Sequence, residues 1–408
     1  MLVPLTQFKG DHRPACVESA RRRSNECREL VFMSYRMTTS ASSRYAPLRY
    51  EATRPFALRL GTRFMLHARQ GVKERLRFLQ RDLLPDIRRE LNQLGTQRGP
   101  GPGQAEISNT QVFGYYHGAG KIIFDFHKSL TSALLETDVE SIPLSAIPAP
   151  ADSVYLHFGA GTGLALEDDA IEGAFVTWTR YAGEEPRMIV DFVSAGQFAD
   201  PYFWLREEGE PMTGCSIVLS DLSRGVIQAL EASTAEIIER NREVLANLKE
   251  TERQLAEQYG EVVSIPSPIT RLGQNLPLLK QGLALVVNCL LYLGVAPEDQ
   301  EDGWSDTADP HLVEQAKSGL KPGTRKTAER TLVNQGYIKV KLIGHQFASS
   351  TQGLQFGQTG RTLATHFRRG HFRNQPYGPE RSMRKVIFIP PVVVNPGQGD
   401  APGRIYEV

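Results

Sequence analysis

The chain has 408 residues, 40% of them hydrophobic and 23% charged, with 36 Gly and 25 Pro, a balance that excludes wholesale disorder and a collagen-like repeat and leaves a soluble, turn-rich globular protein. Its net charge of +1 hides a segregation: residues 1–100 carry 20 Lys/Arg against 9 Asp/Glu, residues 101–260 carry 10 against 25, residues 261–360 carry 9 of each, and residues 361–408 carry 8 against 3. A field of each sign attracts its own class of partner, so the total excludes neither an anionic nor a cationic one.

Residues 1–50 are polar and basic and read as a disordered tail, or as a mis-assigned extension with Met33 or Met37 rather than Met1 as the start. Residues 51–97 read as a helical extension, because Leu76, Leu79, Leu83, Leu84, Ile87 and Leu91 recur at helical spacing, with Pro85 as a kink. RGPGPG at 98–103 is a linker, since alternating Pro and Gly supports neither helix nor ladder. The remainder, 104–408, is expected to be a single α+β domain.

Within that domain, 122–135 predicts a short helix, with His117 and His127 as packing residues on a mostly apolar helical surface, and 142–151 is a Pro-bearing crossover. The runs 153–158, 163–167, 173–181, 188–193 and 215–219 are apolar or alternating and separated by short Gly, Asp and Glu clusters. They predict an antiparallel meander, with parallel crossovers disfavoured by the short links. FGAGTG at 158–163 looks like a phosphate-cradling loop, but strand-like sequence follows it where a dinucleotide site needs a helix, so it reads as a turn. Asp168, Asp169, Glu167 and Glu172 read as solvated turn acids, and Trp178, Tyr181, Tyr202, Phe203 and Trp204 as sheet and crossover aromatics. Residues 223–259 predict a long polar helix and 276–294 a buried core helix; the apolar run 283–295 is too short to span a membrane and contains Asn288 and Gly294. An acidic loop at 298–309, a basic stretch at 317–330 and strands at 337–343 and 387–394, the last interrupted by a Pro pair, complete the pattern.

Cys16, Cys27, Cys215 and Cys289 form no CxxC pair and have no His at ligand spacing, so neither a disulfide framework nor a metal site nor any other cofactor is expected, and a reducing cytoplasm is the expected compartment. No GxSxG, HExxH or Walker-type motif occurs, and the case for an enzyme is thin.

The chemistry concentrates at the C-terminal end. Between 361 and 385 lie seven cations, Arg361, Arg368, Arg369, Arg373, Arg381, Arg384 and Lys385, against the single acid Glu380. His366, His371, Phe367, Phe372, Asn374 and Tyr377 are interleaved with them. Arginine forks suit phosphate and carboxylate, and cations mixed with flat rings suit a single-stranded nucleic acid. A basic β-hairpin over 361–396 is predicted. Three readings stay open: a hairpin that pairs with the protein's own acidic middle, a recognition surface for a phosphate-bearing or acidic partner, and a metal-independent ribonuclease with His366 and His371 as acid and base. In a continuous strand from 365 to 373 the two histidines face opposite ways, which weakens the last.

The segment RRGHFRNQPYGPERSMRKVIFIPPVVVNPG resembles the C-terminal signature of an anti-CRISPR family, the second class described against the type V-A CRISPR effector nuclease. Arg368, Arg369, Gly370, His371 and Phe372 carry it, followed by 386–395, with looser echoes at 154–192 and 290–298; Phe372 stands where the family tends toward Trp. The resemblance implies an inhibitor from a mobile element that acts on effector production. It would bind the nuclease's nascent N-terminal peptide and cause loss of its mRNA, with mRNA or ribosome as a further partner and no membrane. The expected binding residues are Arg361, Arg368, Arg369, His371, Phe372, Arg373, Asn374, Tyr377, Arg381 and Arg384.

Overall fold

The computed structural model describes residues 42–54, 104–140, 142–166, 169–180, 184–200, 212–242, 275–317, 321–351, 366–368 and 370–394, with isolated residues between 56 and 90 and between 246 and 257. The linker 98–103, most of the stretch 51–97 and the aromatics Tyr181, Tyr202, Phe203 and Trp204 lie outside the described residues. In chain order the elements are α1 (Ala46–Thr53), α2 (Gln104–Gly118), β1 (Ile123–Phe126), α3 (Lys128–Leu135), β2 (Thr137–Asp138), β3 (Ser153–His157), β4 (Ala165–Leu166), β5 (Asp169–Thr179), β6 (Arg187–Ser194), β7 (Thr213–Val218), α4 (Val226–Arg240) and α5 (Leu276–Val295). Then come β8 (Gln300–Trp304), α6 (Pro310–Ala316), α7 (Pro322–Asn334), β9 (Lys339–Ile343), α8 (His345–Thr351), β10 (His366–Arg368), β11 (Gly370–Tyr377), β12 (Met383–Ile389) and β13 (Val392–Val394).

The fold is α+β. Its main sheet has the order β7-β6-β5-β3-β1-β9-β8, with β4 paired to β5. From β3 through β7 the neighbours are antiparallel, whereas β1 lies parallel to both β3 and β9. The segment expected to be one helix over 122–135 is therefore a strand and then a helix. Ile123, Phe124 and Phe126 suit a strand buried on both faces, and His127 then caps α3 by accepting a hydrogen bond at Nδ1 from Ser129 N–H at 3.2 Å. The expected acidic loop holds the edge strand β8, antiparallel to β9. Its carboxylates protect an edge from further pairing, and Lys341 Nζ meets Asp302 Oδ1 at 2.5 Å. The helix expected over 223–259 is interrupted at Asn241, which ends α4 and whose Nδ2 donates to the Ile237 carbonyl at 2.8 Å, while the described residues beyond it, 242, 246–247, 249–250, 253–254 and 257, are helical again.

Alternation along the central strands divides the core in two. Phe124, Val154, Leu156, Ala174 and Val176 face a cluster with α3, α4 and α5. Ile123, Tyr155 and Phe175 face another with Tyr45, with Leu48 and Tyr50 of α1, and with Phe113 and Tyr116 of α2. Residues 45–50 thus belong to the core rather than to a tail: mixed apolar and charged side chains put a helix, not a solvated chain, against the sheet.

Twenty residues long, α5 is long and apolar enough by composition to cross a membrane, but it is a core helix with most of its length buried. Residues 307–337 form a compact unit of their own. In it, Asp309 caps α6 by accepting from His311 N–H at 2.8 Å, Pro310 and Pro322 open α6 and α7, and Ala316, Ala328 and Leu332 are buried.

One polar side chain sits in the middle of α5. Asn288 is fully buried, and its Nδ2 donates to the carbonyls of Leu134 and Thr137, each at 2.8 Å. Replacing Asn288 by Leu keeps the volume but removes both bonds, and should lower the free energy of unfolding by about 2 kcal/mol with the denaturant slope unchanged, measured by urea titration.

Candidate functional site

The C-terminal segment forms two antiparallel ladders, β11 with β12 and β10 with β13, that keep one register: Tyr377 opposes Met383, His371 opposes Ile389 and Arg368 opposes Val392. Between the ladders fall Pro390 and Pro391, which supply no N–H for pairing. The chain reverses at Gly378, whose φ of +80° suits a residue without Cβ, and at Glu380, which adopts φ +52°.

The hairpin is seated on the body at its inner end. There β11 pairs in parallel with β2, Gly370 opposite Thr137 and His371 opposite Asp138, and Gly370 N–H donates to the Glu136 carbonyl at 3.1 Å. A Cβ on Gly370 would come within 2.5 Å of Thr137 Oγ1 and 2.9 Å of Pro391 Cδ. That is a physical reason for glycine between Arg369 and His371: the strand passes between β2 and the proline pair with no room for a side chain.

Alternation then sorts the hairpin's residues. Phe372, 8% exposed, and its cross-strand partner Phe388 turn inward, with ring centroids 5.2 Å apart, and Phe388 meets Tyr292 of α5 edge-on at 5.6 Å. Phe372 is thus a packing residue rather than a ligand contact. Opposite positions in a ladder share a face, so the outward face carries His371, Arg373, Gln375 and Tyr377 on β11 and Met383, Ile387 and Ile389 on β12. Tyr377 and Met383 are 43% and 48% exposed, and Arg373 is exposed. The backbones of Arg368, Asn374, Arg381 and Arg384 lie in β10, β11, the turn and β12, while Arg361 and Arg369 lie outside the described residues. His366 stands in the β10–β13 ladder and His371 in the β11–β12 ladder, and no described contact joins them as an acid–base pair.

The other sequence candidates resolve differently. FGAGTG closes a turn that continues into β4 rather than a helix. Asp168 lies outside the described residues and Asp169 begins β5, but Glu172 is not a solvated turn acid: it is buried in an ion pair with Arg49. An acidic cavity of about 160 Å³ beside β7 and α4 is lined by Glu185, Asp221 and Glu236, together with Arg224.

A second polar centre, invisible to motif reading, surrounds α1. Fully buried Arg54 lies 3.5 Å from Glu106 through Nε and stacks over Tyr50 and Phe198, with its guanidinium 5.1 and 5.0 Å from the ring centroids. Tyr50 donates to Glu106 at 2.9 Å, and its hydroxyl is held un-ionised by burial and by that carboxylate. Glu51 meets His117 and Lys121; burial pushes its carboxyl up, but these two partners outweigh it and hold it below the usual carboxylate range. Tyr45 donates to Asp125 at 2.8 Å, and the ring of His157 meets Tyr45 edge-on at 5.2 Å. The members are paired or packed, so the centre is a fastening for α1 rather than an open site.

Burial pulls the His157 imidazole down to about 4 against an ordinary 6.5. A depressed histidine contributes stability that is complete above pH 6.5 and lost as pH falls toward 4, because the unfolded chain binds the proton first. Unfolding free energy should therefore rise with pH across that window, with a slope approaching about 1.4 kcal/mol per unit from this residue, and His157→Phe should flatten it in denaturation curves taken at pH 4, 5, 6 and 7. At the hairpin, Gly370→Ala should unseat β11. Hydrogen exchange of the 371–389 amides should accelerate at least tenfold while that of α5 stays unchanged.

A family model, the anti-CRISPR type V subtype A2 family, matches residues 124–396, from β1 through the whole hairpin. A solved structure, the crystal structure of AcrVA2, is similar over 85% of this chain and 96% of that chain, at 15% sequence identity and a TM-score of 0.38. No curated protein matches the chain. With more than half of its 408 residues covered by that one model, and with the matched region ending on the hairpin just described, the chain belongs to the anti-CRISPR type V subtype A2 family.

Proposed function

We propose that this anti-CRISPR protein acts in the bacterial cytoplasm against the production of a type V-A effector nuclease. It binds the nuclease's nascent N-terminal peptide and promotes loss of the message being translated. The observation that carries the reading is the family match over 124–396, which includes the basic hairpin.

The charge map supports two partners on one chain. Excess carboxylate between 101 and 260, locally the cavity bordered by Glu185, Asp221 and Glu236, favours a Lys-containing peptide. Excess arginine between 361 and 385 favours phosphate, on RNA or ribosome. Arg361, Arg368, Arg369, His371, Arg373, Asn374, Tyr377, Arg381 and Arg384 are the residues assigned to that second contact. The ribonuclease alternative gains nothing from the geometry, since His366 and His371 belong to separate ladders.

The test is the triple substitution of Arg368, Arg369 and His371 by Ala in cells that express the effector. Effector protein and its mRNA should both return to the level seen without inhibitor, while thermal unfolding of the purified variant stays cooperative. Full knock-down by a folded triple variant would overturn the assignment.

A further inference from the structure

We propose that the outward face of the β11–β12 hairpin is a binding surface for single-stranded RNA, with Tyr377 and Met383 forming a stacking platform at the tip and Arg373 meeting the phosphates. The inference rests on the reading that the hairpin works on a message, and it names the face, the residues and the state of the nucleic acid.

Three observations converge on this face. First, the hairpin has a used side and a free side. Phe372, Val386 and Phe388 are committed to the core cluster around α5, so the alternate positions, His371, Arg373, Gln375 and Tyr377 with their cross-strand partners, point away from the body. Second, two of the most exposed large hydrophobic side chains among the described residues, Tyr377 and Met383, are direct cross-strand neighbours there. A ring and a thioether side by side form a flat apolar platform that nothing in the fold requires at a solvated turn, and the positive-φ residues Gly378 and Glu380 turn the chain immediately beyond it. Third, the platform lies in the most cationic stretch of the chain, seven Lys/Arg against one acid between 361 and 385. No carboxylate among the described residues pairs with Arg373.

A flat apolar platform fits a base only when that base is unstacked, which selects a single strand over a duplex. From His371 to Tyr377 the face runs about 20 Å at strand spacing, enough for a short run of nucleotides and too narrow for a helix seated across two grooves. An acidic peptide would satisfy the cations but offers the platform no ring, so charge and shape together favour RNA.

The two parts separate in a titration of the full chain with a fluorescent 12-nucleotide single-stranded RNA of unstructured mixed sequence, followed by anisotropy between 50 and 200 mM salt. Tyr377→Ala should weaken binding about tenfold without changing the salt slope, and Tyr377→Phe should retain wild-type affinity, because stacking needs the ring and not the hydroxyl. Arg373→Gln should reduce the slope of log K against log salt by about 0.7, the value of one phosphate contact on a single strand. The inference is overturned by unchanged affinity in Tyr377→Ala, by equal or tighter binding of duplex RNA or of an acidic decapeptide, or by tighter binding of single-stranded DNA of the same sequence. Because affinity is read without effector or ribosome, a chain that fails to bind RNA yet still lowers effector message overturns this inference alone. RNA binding by a wild-type chain that leaves effector message untouched overturns the functional reading alone.

Discussion

Asn288 is the point on which the hairpin depends. A side-chain amide in the middle of an apolar helix costs free energy unless its donors are used, and here both go to main-chain carbonyls, one at the end of α3 and one in β2. Those bonds fix a corner of chain that α3 alone would leave ragged, and the two-residue strand β2 that emerges is the only backbone on the body, among the described residues, with which β11 pairs. Gly370 lets the strand approach that corner, Pro391 closes it from the other side, and Phe388 seats the hairpin on α5 through Tyr292. A two-stranded ribbon is marginal in water by itself. This one is stable because its root is locked into the core, so its tip is free to carry exposed side chains.

The same economy explains how the two faces of the main sheet differ. Toward α3, α4 and α5 the packing is aliphatic and nearly dry of charge. Toward α1 and α2 it is aromatic and threaded with buried ion pairs, Arg49 with Glu172 and Arg54 with Glu106. Removing one partner of such a pair strands the other charge in a poor dielectric, at a typical cost of about 3–5 kcal/mol. The pairs therefore do less to raise stability than to prescribe one seating for α1: a slide by one turn would misplace Arg49, Glu51 and Arg54 together.

How much of this was legible in the sequence varies with the distance over which the cause acts. The core helix α5 and strands β3, β5, β6 and β7 follow from local hydrophobic pattern, and the pattern is strong because these elements are buried on their own account. Strand β1 was hidden because its four residues, three of them apolar, run almost directly into an amphipathic helix, and only the capping role of His127 marks the join. Strand β8 was hidden because an edge strand tolerates Glu301 and Asp302, which in isolation look like loop. The α1 centre was hidden most completely: Arg49 finds Glu172 and Arg54 finds Glu106 across long stretches of chain, and no spacing rule links such partners. The cationic and aromatic content of the hairpin was plain, but composition could not say that Phe372 turns inward and Tyr377 outward; that depends on register against β12 and on which side α5 lies.

Register is also what turns the charge segregation from a statistic into a surface. Seven cations in 25 residues repel one another, and in a disordered tail they would simply spread. Four of them, Arg368, Arg373, Arg384 and Lys385, stand in the ladders, and with the inner face pinned by Phe372 and Phe388, Arg373 and Tyr377 are held on one side of one ribbon. The free energy that holds Arg373 and Tyr377 on this face is supplied by aromatic packing on α5, several residues and one strand face away. A substitution in that inner packing should accordingly displace Arg373 and Tyr377 without altering either, so the core and the exposed face of this hairpin cannot be treated as separate parts.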